Sequence, residues 1–190
     1  RHYHSKEKHT MTTYYNGKNV LITGGSSGIG LALAKNLAAQ GANIWILSRR
    51  PEALNAARQE IEAARANPSQ HVGALEGNIA DRQQIVAVLS AYLQQYGPPD
   101  ILVNSAGITY PAMFADTPFE VFDGLMQTNF HGTVNVIKTV LPGMAARGSG
   151  QVTIVGSGGG FLALIGYSAY SASKFALRAL ADVLRMEYKH

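Results

Sequence analysis

The chain has 190 residues, of which 46% are hydrophobic and 15% are charged, and its formal net charge is +4. A chain of this length buries one sizeable core and is short for two domains, and its apolar content argues against extensive disorder. The absence of cysteine excludes disulfides, thiolate metal sites and a cysteine nucleophile. The positive surplus is small and scattered, so no nucleic-acid-binding face is predicted.

The first ten residues, RHYHSKEKHT, are rich in histidine and basic side chains. No spaced ligand set follows them, so we expect a partly disordered tail and not a metal site. Residues 1–18 are therefore taken as tail and residues 19–190 as one domain. No apolar run approaches the ~20 residues that cross a bilayer. These features predict a soluble, cytoplasmic protein that at most contacts a membrane surface.

From Asn19 onward, short β-branched runs alternate with longer amphipathic stretches. The runs predict five strands, at 19–23, 43–48, 71–77, 100–105 and 151–157. Four of these runs are mostly continuous apolar segments, which is typical of a parallel sheet covered on both faces. The weakest run, 71–77, is expected at an edge of the sheet.

The intervening stretches predict helices at 28–41, 51–66, 81–97, 119–148 and 169–189, the fourth bent near 129–132 or at Pro142. This alternation predicts a doubly wound α/β fold with a parallel sheet between two helical layers, as in a Rossmann fold. The chain stops directly after the last helix, where this architecture normally continues. We therefore expect its C-terminal strands to be missing.

A glycine-rich loop, TGGSSGIG (23–30), joins the first strand to the first helix. Gly24 permits the tight turn, Gly28 lets the backbone approach a pyrophosphate, and Gly30 lets the helix pack closely. The helix N-terminus adds unpaired N–H groups and a partial positive charge. The loop predicts a dinucleotide site, although a plain strand-to-helix turn remains an alternative. Its candidate contacts are Gly24, Ser26, Ser27, Gly28, Ile29 and Gly30.

The second strand ends in ILSRRP, where an acidic residue would bind the ribose 2′-hydroxyl of NAD. This chain has Arg49 and Arg50 there instead, and guanidinium groups bind phosphate in bidentate fashion. The cofactor is therefore predicted to be NADP(H), with Arg49 as the first contact and Arg50 as the second. A solvated arginine pair is the alternative.

Tyr170 and Lys174 are four residues apart, so on a helix they share one face. A lysine charge ~4 Å from a phenol contributes about 4 kcal/mol at an effective dielectric of ~20, which brings a phenol close to neutral pH. Such a group is suited to general acid–base catalysis. Ser157, expected where the fifth strand ends, could hold a substrate carbonyl, or it could simply cap that strand. Tyr167, one turn away, could pack or line the substrate mouth.

Five motifs occur together and in one order: the loop 24–30, NSAG (104–107), Asn129, Ser157 and YSASK (170–174). This set resembles the signature of the short-chain dehydrogenase/reductase family, from Asn19 to about Lys189. The resemblance implies that Tyr170 is the general acid/base and that Ser157 positions the carbonyl. It also implies that Lys174 acidifies the tyrosine and binds the nicotinamide ribose, while Asn129 holds a water in the proton relay.

The same resemblance implies that NSAG lines the cofactor pocket through Asn104, Ala106 and Gly107, with Asn104 as the best contact. Asn78 stands where most of the family has an aspartate near the adenine. Members of the family commonly pair through their long helices, which implies a homodimer or homotetramer.

Within the family, GGSSGIG, LSRRPEAL and GYSAYSASKFALRALADVLRMEYK are most similar to the 3-ketodihydrosphingosine reductases, which reduce a ketone on a long-chain amino alcohol with NADPH. The apolar run 161–165 could hold a lipid tail, since each buried CH₂ contributes ~0.8 kcal/mol; simple packing or a subunit interface is the alternative. Two other functions stay open: a reductase of a smaller or steroid-like ketone, and an NADP-binding protein without turnover.

Overall fold

A computed structural model describes residues 13–188 of the chain. The proposed tail falls largely outside this range, and with it the histidine-rich segment. Five strands alternate with helices, after a 3-10 turn at Thr13–Tyr15. The strands are β1 (Asn19–Thr23), β2 (Asn43–Ser48), β3 (Val72–Glu76), β4 (Ile101–Asn104) and β5 (Gln151–Ile154). The helices are α1 (Gly28–Ala39), α2 (Pro51–Ala63), α3 (Arg82–Tyr96), α4 (Phe119–Leu125), α5 (Gly132–Arg147) and α6 (Ser168–Glu187).

The five strands form one parallel sheet in the order β3-β2-β1-β4-β5. The chain winds from β1 outward to β3 and then returns to the other side of β1 for β4. The predicted doubly wound fold is confirmed, and β3 lies at an edge as expected. The order reverses between β1 and β4, and ligands of such sheets bind at the carboxyl ends of the strands beside that reversal.

Both faces of the sheet are buried, which explains the continuous apolar strands. Side chains alternate along β1, so Val20 and Ile22 pack toward α1 and α2 while Leu21 packs toward α3 and α5. The first helical layer contributes residues such as Leu37, and the second contributes residues such as Leu89. Three layers result, with the polar loops gathered at the two ends of the strands.

Local sequence signals begin α2 and α3 as predicted, whereas α1, α2 and α6 end two or three residues earlier than the predicted 41, 66 and 189. The Asp81 carboxylate accepts a hydrogen bond from the Gln84 amide and caps α3, and Pro51 occupies the first turn of α2. The long fourth helix is interrupted by a π-helical segment, Met126–His131, which separates α4 from α5. Pro142 lies inside α5 without ending it. The π-segment contains Asn129, one of the two places where the sequence predicts a bend, and π-segments of this kind are frequent at functional sites.

No helix within residues 13–188 is both long enough and apolar enough to cross a bilayer. At the sheet edge opposite β3, β5 pairs only with β4 among the described residues. On one face of the sheet near that edge, side chains of β5 pack against α5 and α6.

Candidate active site

The loops that follow β1 and β4 touch each other at the point where the strand order reverses. Thr23 and Asn104 are direct neighbours in the sheet, and the Ser105 amide donates to the Thr23 carbonyl at 3.2 Å. A β-carbon on Gly24 would lie 2.7 Å from Ala106 Cα, so only glycine allows the two loops to approach this closely. The glycine loop and the NSAG segment therefore form one continuous wall.

The glycine loop leaves the N-terminus of α1 open. Ser27 is the N-cap residue but makes no side-chain cap hydrogen bond, and residues 27–29 are exposed. Gly28 has φ +53°, and a β-carbon there would meet no atom within 4 Å. A β-carbon on Gly30, in contrast, would lie 2.4 Å from the Gly24 carbonyl oxygen. The loop thus packs tightly on its inner side and presents free amides and open space on its outer side, which fits a pyrophosphate.

The adjacent end of β2 carries the two arginines. The Ser26 hydroxyl donates to the Ser48 hydroxyl at 2.8 Å, which ties the glycine loop to the end of β2. Arg49 and Arg50 follow directly and are exposed, and neither guanidinium is ion-paired within residues 13–188. Because Arg50 is also the N-cap residue of α2, both cations stand beside a helix N-terminus. The two residues that directly follow β2 are cations and not carboxylates, which fits a phosphate; the nearest acidic residues are Glu52, in the first turn of α2, and Glu76, the sheet partner of Ser48.

Tyr170 and Lys174 lie on one face of α6, as their spacing predicts. The Lys174 Nζ is 5.7 Å from the centre of the Tyr170 ring and donates to the Val155 carbonyl oxygen at 3.1 Å. Lys174 is 7% exposed, and this burial lowers the pKa of its ammonium below the ordinary lysine value. The Nζ also lies 3.7 Å from the position of a β-carbon on Gly107, so the ammonium reaches the wall described above.

Ser157 lies beyond the end of β5 and not within it. The strand ends at Ile154, so the predicted range of 151–157 is too long. Ser157 caps a short 3-10 turn, Gly158–Gly160, where its Oγ accepts a hydrogen bond from the Gly159 amide at 3.1 Å. A β-carbon on Gly159 would lie 3.5 Å from that Oγ and 3.3 Å from Tyr170 Cε1. The cap therefore places the serine hydroxyl next to the tyrosine ring.

Asn129 is fully buried and bridges two segments of the site. Its Oδ1 accepts from the Ile108 amide at 2.8 Å, and its Nδ2 donates to the Ile108 carbonyl at 3.0 Å and to the Ser173 hydroxyl at 2.9 Å. Both amide hydrogens are thus used by protein groups. The side chain fixes the loop after β4 to α6, and the relay water implied by the family resemblance remains a prediction.

The remaining expected contacts differ in accessibility. Asn104 is 3% exposed, and its Nδ2 is 3.5 Å from the Thr153 carbonyl, so its side chain faces β5. Its Oδ1 is buried without a partner among residues 13–188. The accessible part of NSAG is instead Gly107, which is exposed, with Ser105 and Ala106 half-buried. The Asn78 side chain accepts from the Ala80 amide at 3.2 Å and shapes the turn before α3.

Sequence reasoning missed one buried member of this network. Ser173 lies inside the YSASK motif, but the pattern alone does not distinguish its hydroxyl from those of Ser168 and Ser171. In the structure Ser173 contacts Asn129, whereas the hydroxyls of Ser168 and Ser171 have no partner within residues 13–188. What distinguishes Ser173 from the other two serines is its hydrogen bond to Asn129, which is 44 residues away in the sequence.

The arrangement defines a dinucleotide-binding α/β protein. A tyrosine, a buried lysine and a serine lie beside the wall formed by the glycine loop and the NSAG segment, called the cofactor wall below. The short chain dehydrogenase family profile matches residues 18–190, and the chain belongs to this family of oxidoreductases. It is 40% identical over 174 residues to the 3-ketodihydrosphingosine reductase of Bos taurus, covering 91% of this chain and 52% of that protein. The chain spans about half the length of the curated relatives it matches.

Solved structures agree with this assignment. The NAD⁺-bound xylitol dehydrogenase superposes with a TM-score of 0.86 at 26% identity, over 92% of this chain and 66% of that one. A gluconate 5-dehydrogenase from Burkholderia cenocepacia, solved with NADP and tartrate, gives 0.84 at 30% identity, over 92% and 67%. The fold of this chain is therefore shared by structures that hold NAD⁺ and by structures that hold NADP.

Proposed function

We propose that this chain is the cofactor-binding and catalytic part of an NADPH-dependent short-chain reductase that converts a ketone to a secondary alcohol. We further propose that the ketone is 3-ketodihydrosphingosine, reduced to dihydrosphingosine in sphingolipid synthesis. The observation that carries the first proposal is that Tyr170, Lys174 and Ser157 lie together and that the Lys174 Nζ reaches Gly107 of the wall. The 40% identity to a 3-ketodihydrosphingosine reductase supports the second.

The residues of this chain supply binding and a proton. The Ser157 hydroxyl accepts from the Gly159 amide, so its own hydrogen is free to donate to a substrate carbonyl oxygen. The Tyr170 phenol donates its proton to that oxygen as negative charge develops there. The Lys174 ammonium, 5.7 Å from the ring centre and shielded from water, stabilises the phenolate left behind. When bound, the nicotinamide supplies the hydride, and the protein supplies orientation.

The choice of NADPH over NADH is supported by the corner after β2. Arg49 and Arg50 are exposed and free of ion pairs within the described chain, and they occupy the strand-end position where an acidic residue would bind a 2′-hydroxyl. A 2′-phosphate would meet charge-assisted donors there. Ser27, Gly28 and Ile29 would hold the pyrophosphate, and Lys174 would hold the nicotinamide ribose.

A long apolar substrate is supported by the loop between Ser157 and α6. Leu162 and Ile165 are 71% and 90% exposed, and Arg178 stacks on the Phe161 ring at 4.2 Å. The Ala112 amide donates to the Gly166 carbonyl at 2.9 Å, which joins this loop to the segment after β4. Together these segments form an apolar rim beside Tyr170. Such a rim would bury an alkyl chain at ~0.8 kcal/mol for each CH₂.

The proposal extends to the setting of the reaction. A cytoplasmic protein that contacts a membrane peripherally would meet a lipid ketone at the surface, and the exposed apolar rim supports such contact. Association into a homodimer or homotetramer is proposed from the family and from exposed apolar positions on α6, such as Val183 and Met186.

The test is NADPH oxidation by the protein at its native length, with 3-ketodihydrosphingosine compared with a panel of short-chain ketones. We expect a higher kcat/KM for the long-chain ketone, and lower activity with NADH. Equal or higher activity on the short ketones would refute the lipid assignment and leave the reductase. Tight NADPH binding without turnover on any ketone would refute the reductase itself.

A further inference from the structure

We propose that Ser173 is a positioning residue for the reduction: its hydroxyl locks the Asn129 amide and thereby fixes the catalytic helix against the cofactor wall. The proposal rests on the proposed function, because it concerns the geometry of that active site. Ser173 contacts neither the substrate pocket nor the reacting atoms, and its side chain is fully buried.

The Ser173 hydroxyl has two partners, one on each side. It donates to the Tyr170 carbonyl oxygen at 2.7 Å, and it accepts from the Asn129 Nδ2 at 2.9 Å. The Tyr170 carbonyl belongs to the helical turn that joins Tyr170 to Lys174. One hydroxyl group therefore connects the backbone of the catalytic turn to the side chain of the π-segment.

Donor and acceptor accounting allows only one orientation of the Asn129 amide. The Ile108 amide needs an acceptor, which must be Oδ1, so Nδ2 is directed to the Ile108 carbonyl and to Ser173. The Ser173 oxygen accepts through a lone pair, and its own hydrogen is donated to the Tyr170 carbonyl. A flipped amide would place Nδ2 against the Ile108 N–H and would draw the Ser173 hydrogen away from Tyr170. The Ile108 backbone thus sets the direction of these hydrogen bonds, and the Ser173 hydroxyl completes the set by accepting from Nδ2 and donating to Tyr170.

This series of hydrogen bonds links the cofactor wall to the catalytic turn of α6. Ile108 directly follows Gly107, whose β-carbon position lies 3.7 Å from the Lys174 Nζ and 3.2 Å from the Asn129 Oδ1. Tyr170 and Lys174 lie at the other end, on α6. Without the Ser173 hydroxyl, one Nδ2 hydrogen is buried without a partner, and α6 loses its side-chain link to the wall. The phenol and the cofactor wall then lose their fixed separation.

The test compares Ser173→Ala with Ser171→Ala in the native-length protein. Ser171 is a matched control because it lies on the same helix and is 4% exposed, but its hydroxyl has no partner within residues 13–188. We expect Ser173→Ala to lower kcat by about 10- to 100-fold, the range caused by small misplacement of catalytic groups. Its NADPH dissociation constant and the exchange rate of the Ile108 amide should rise. Ser171→Ala should leave all three quantities at the wild-type values.

A second comparison separates positioning from simple stabilisation. The double variant Ser173→Ala with Asn129→Ala should be no slower than Asn129→Ala alone, since Asn129→Ala already removes the hydrogen bond through which Ser173 is proposed to act. If Ser173→Ala unfolds, Ser173→Cys keeps a weaker donor and acceptor and should give an intermediate kcat.

The outcomes distinguish the two proposals. An active wild type with the kcat of Ser173→Ala equal to that of Ser171→Ala, measured well below the unfolding midpoint, would overturn the positioning proposal alone. Independent losses in the double variant would do the same. A wild type that reduces no ketone would overturn the proposed function.

Discussion

The open space outside the glycine loop can be tested with a pair of alanine substitutions at opposite ends of β1. Gly17 precedes the strand and Gly28 lies in the glycine loop that follows the strand; both are exposed, with φ +73° and +53°. A β-carbon at either position meets no atom within 4 Å. The two substitutions therefore share their backbone strain and differ only in what surrounds the new methyl group.

The expected cost of stability is the same for both variants. Placing alanine in the left-handed region costs about 1–2 kcal/mol. For a domain of this size each kcal/mol lowers the unfolding midpoint by about 2–4 °C, so both midpoints should fall by a few degrees. Gly28→Ala should in addition lose NADPH affinity, because its methyl occupies the space that a pyrophosphate would enter. Loss of one hydrogen bond to a charged group corresponds to about 10- to 150-fold in dissociation constant.

The assay combines thermal unfolding with NADPH titration by fluorescence for wild type, Gly17→Ala and Gly28→Ala. Gly17→Ala should bind NADPH as wild type does, since the turn before β1 is remote from the site. The reasoning is refuted if Gly28→Ala binds NADPH as tightly as Gly17→Ala, because the loop would then not be the pyrophosphate cradle.

Three further predictions concern the charged and phenolic side chains. Arg49→Ala should raise the NADPH dissociation constant by about 10- to 150-fold, the value of a charged hydrogen bond, and leave that of NADH unchanged; an equal effect on both cofactors would contradict a phosphate contact. Tyr170→Phe should abolish turnover while NADPH binding and the unfolding midpoint persist; retained activity would transfer the acid role to Tyr167. In the wild type, Lys174 should make the free energy of unfolding increase with pH in the alkaline range, and Lys174→Met should remove that increase. Burial lowers the pKa of Lys174, so between the lowered value and the ordinary one near 10.5 the unfolded chain binds more protons. The free energy of unfolding of wild type relative to Lys174→Met should therefore increase across that alkaline window; denaturant titrations at several pH values that gave a constant difference would contradict the burial argument.

The fold was predictable because its signals are local. The strand from Asn19 and the helix from Pro51 follow from hydrophobic runs and from the proline at the first turn, and both begin where predicted. The expectation that β3 is peripheral rested on its weak apolar run and is confirmed by the strand order. The predicted end of β5 is three residues too late, because Ser157 is still extended, although the last backbone hydrogen bond to β4 in the described chain runs from the Val155 amide to the Asn104 carbonyl.

The site was predictable only where its residues share a helix or a loop. The proximity of Tyr170 to Lys174 follows from helical periodicity, and the open cradle follows from glycine spacing. The burial of Asn104 and the partner of Ser173 depend on where β5 and the π-segment lie in three dimensions. The periodicity of the sequence predicts neither the burial of Asn104 nor the partner of Ser173, so both required the structure.

The geometry of Lys174 is compatible with the two roles proposed for this one buried lysine. An ammonium has three donors, and within residues 13–188 its Nζ uses one, on the Val155 carbonyl. That bond ties the side chain to the end of β5 and leaves two hydrogens for ligands. The family resemblance assigns Lys174 two tasks, the phenolate and the ribose, and the two remaining donors match them in number. The low exposure of Lys174 lowers the pKa of its ammonium, which costs stability. The same low exposure keeps water from screening the charge, which strengthens its effect on a neighbouring phenolate.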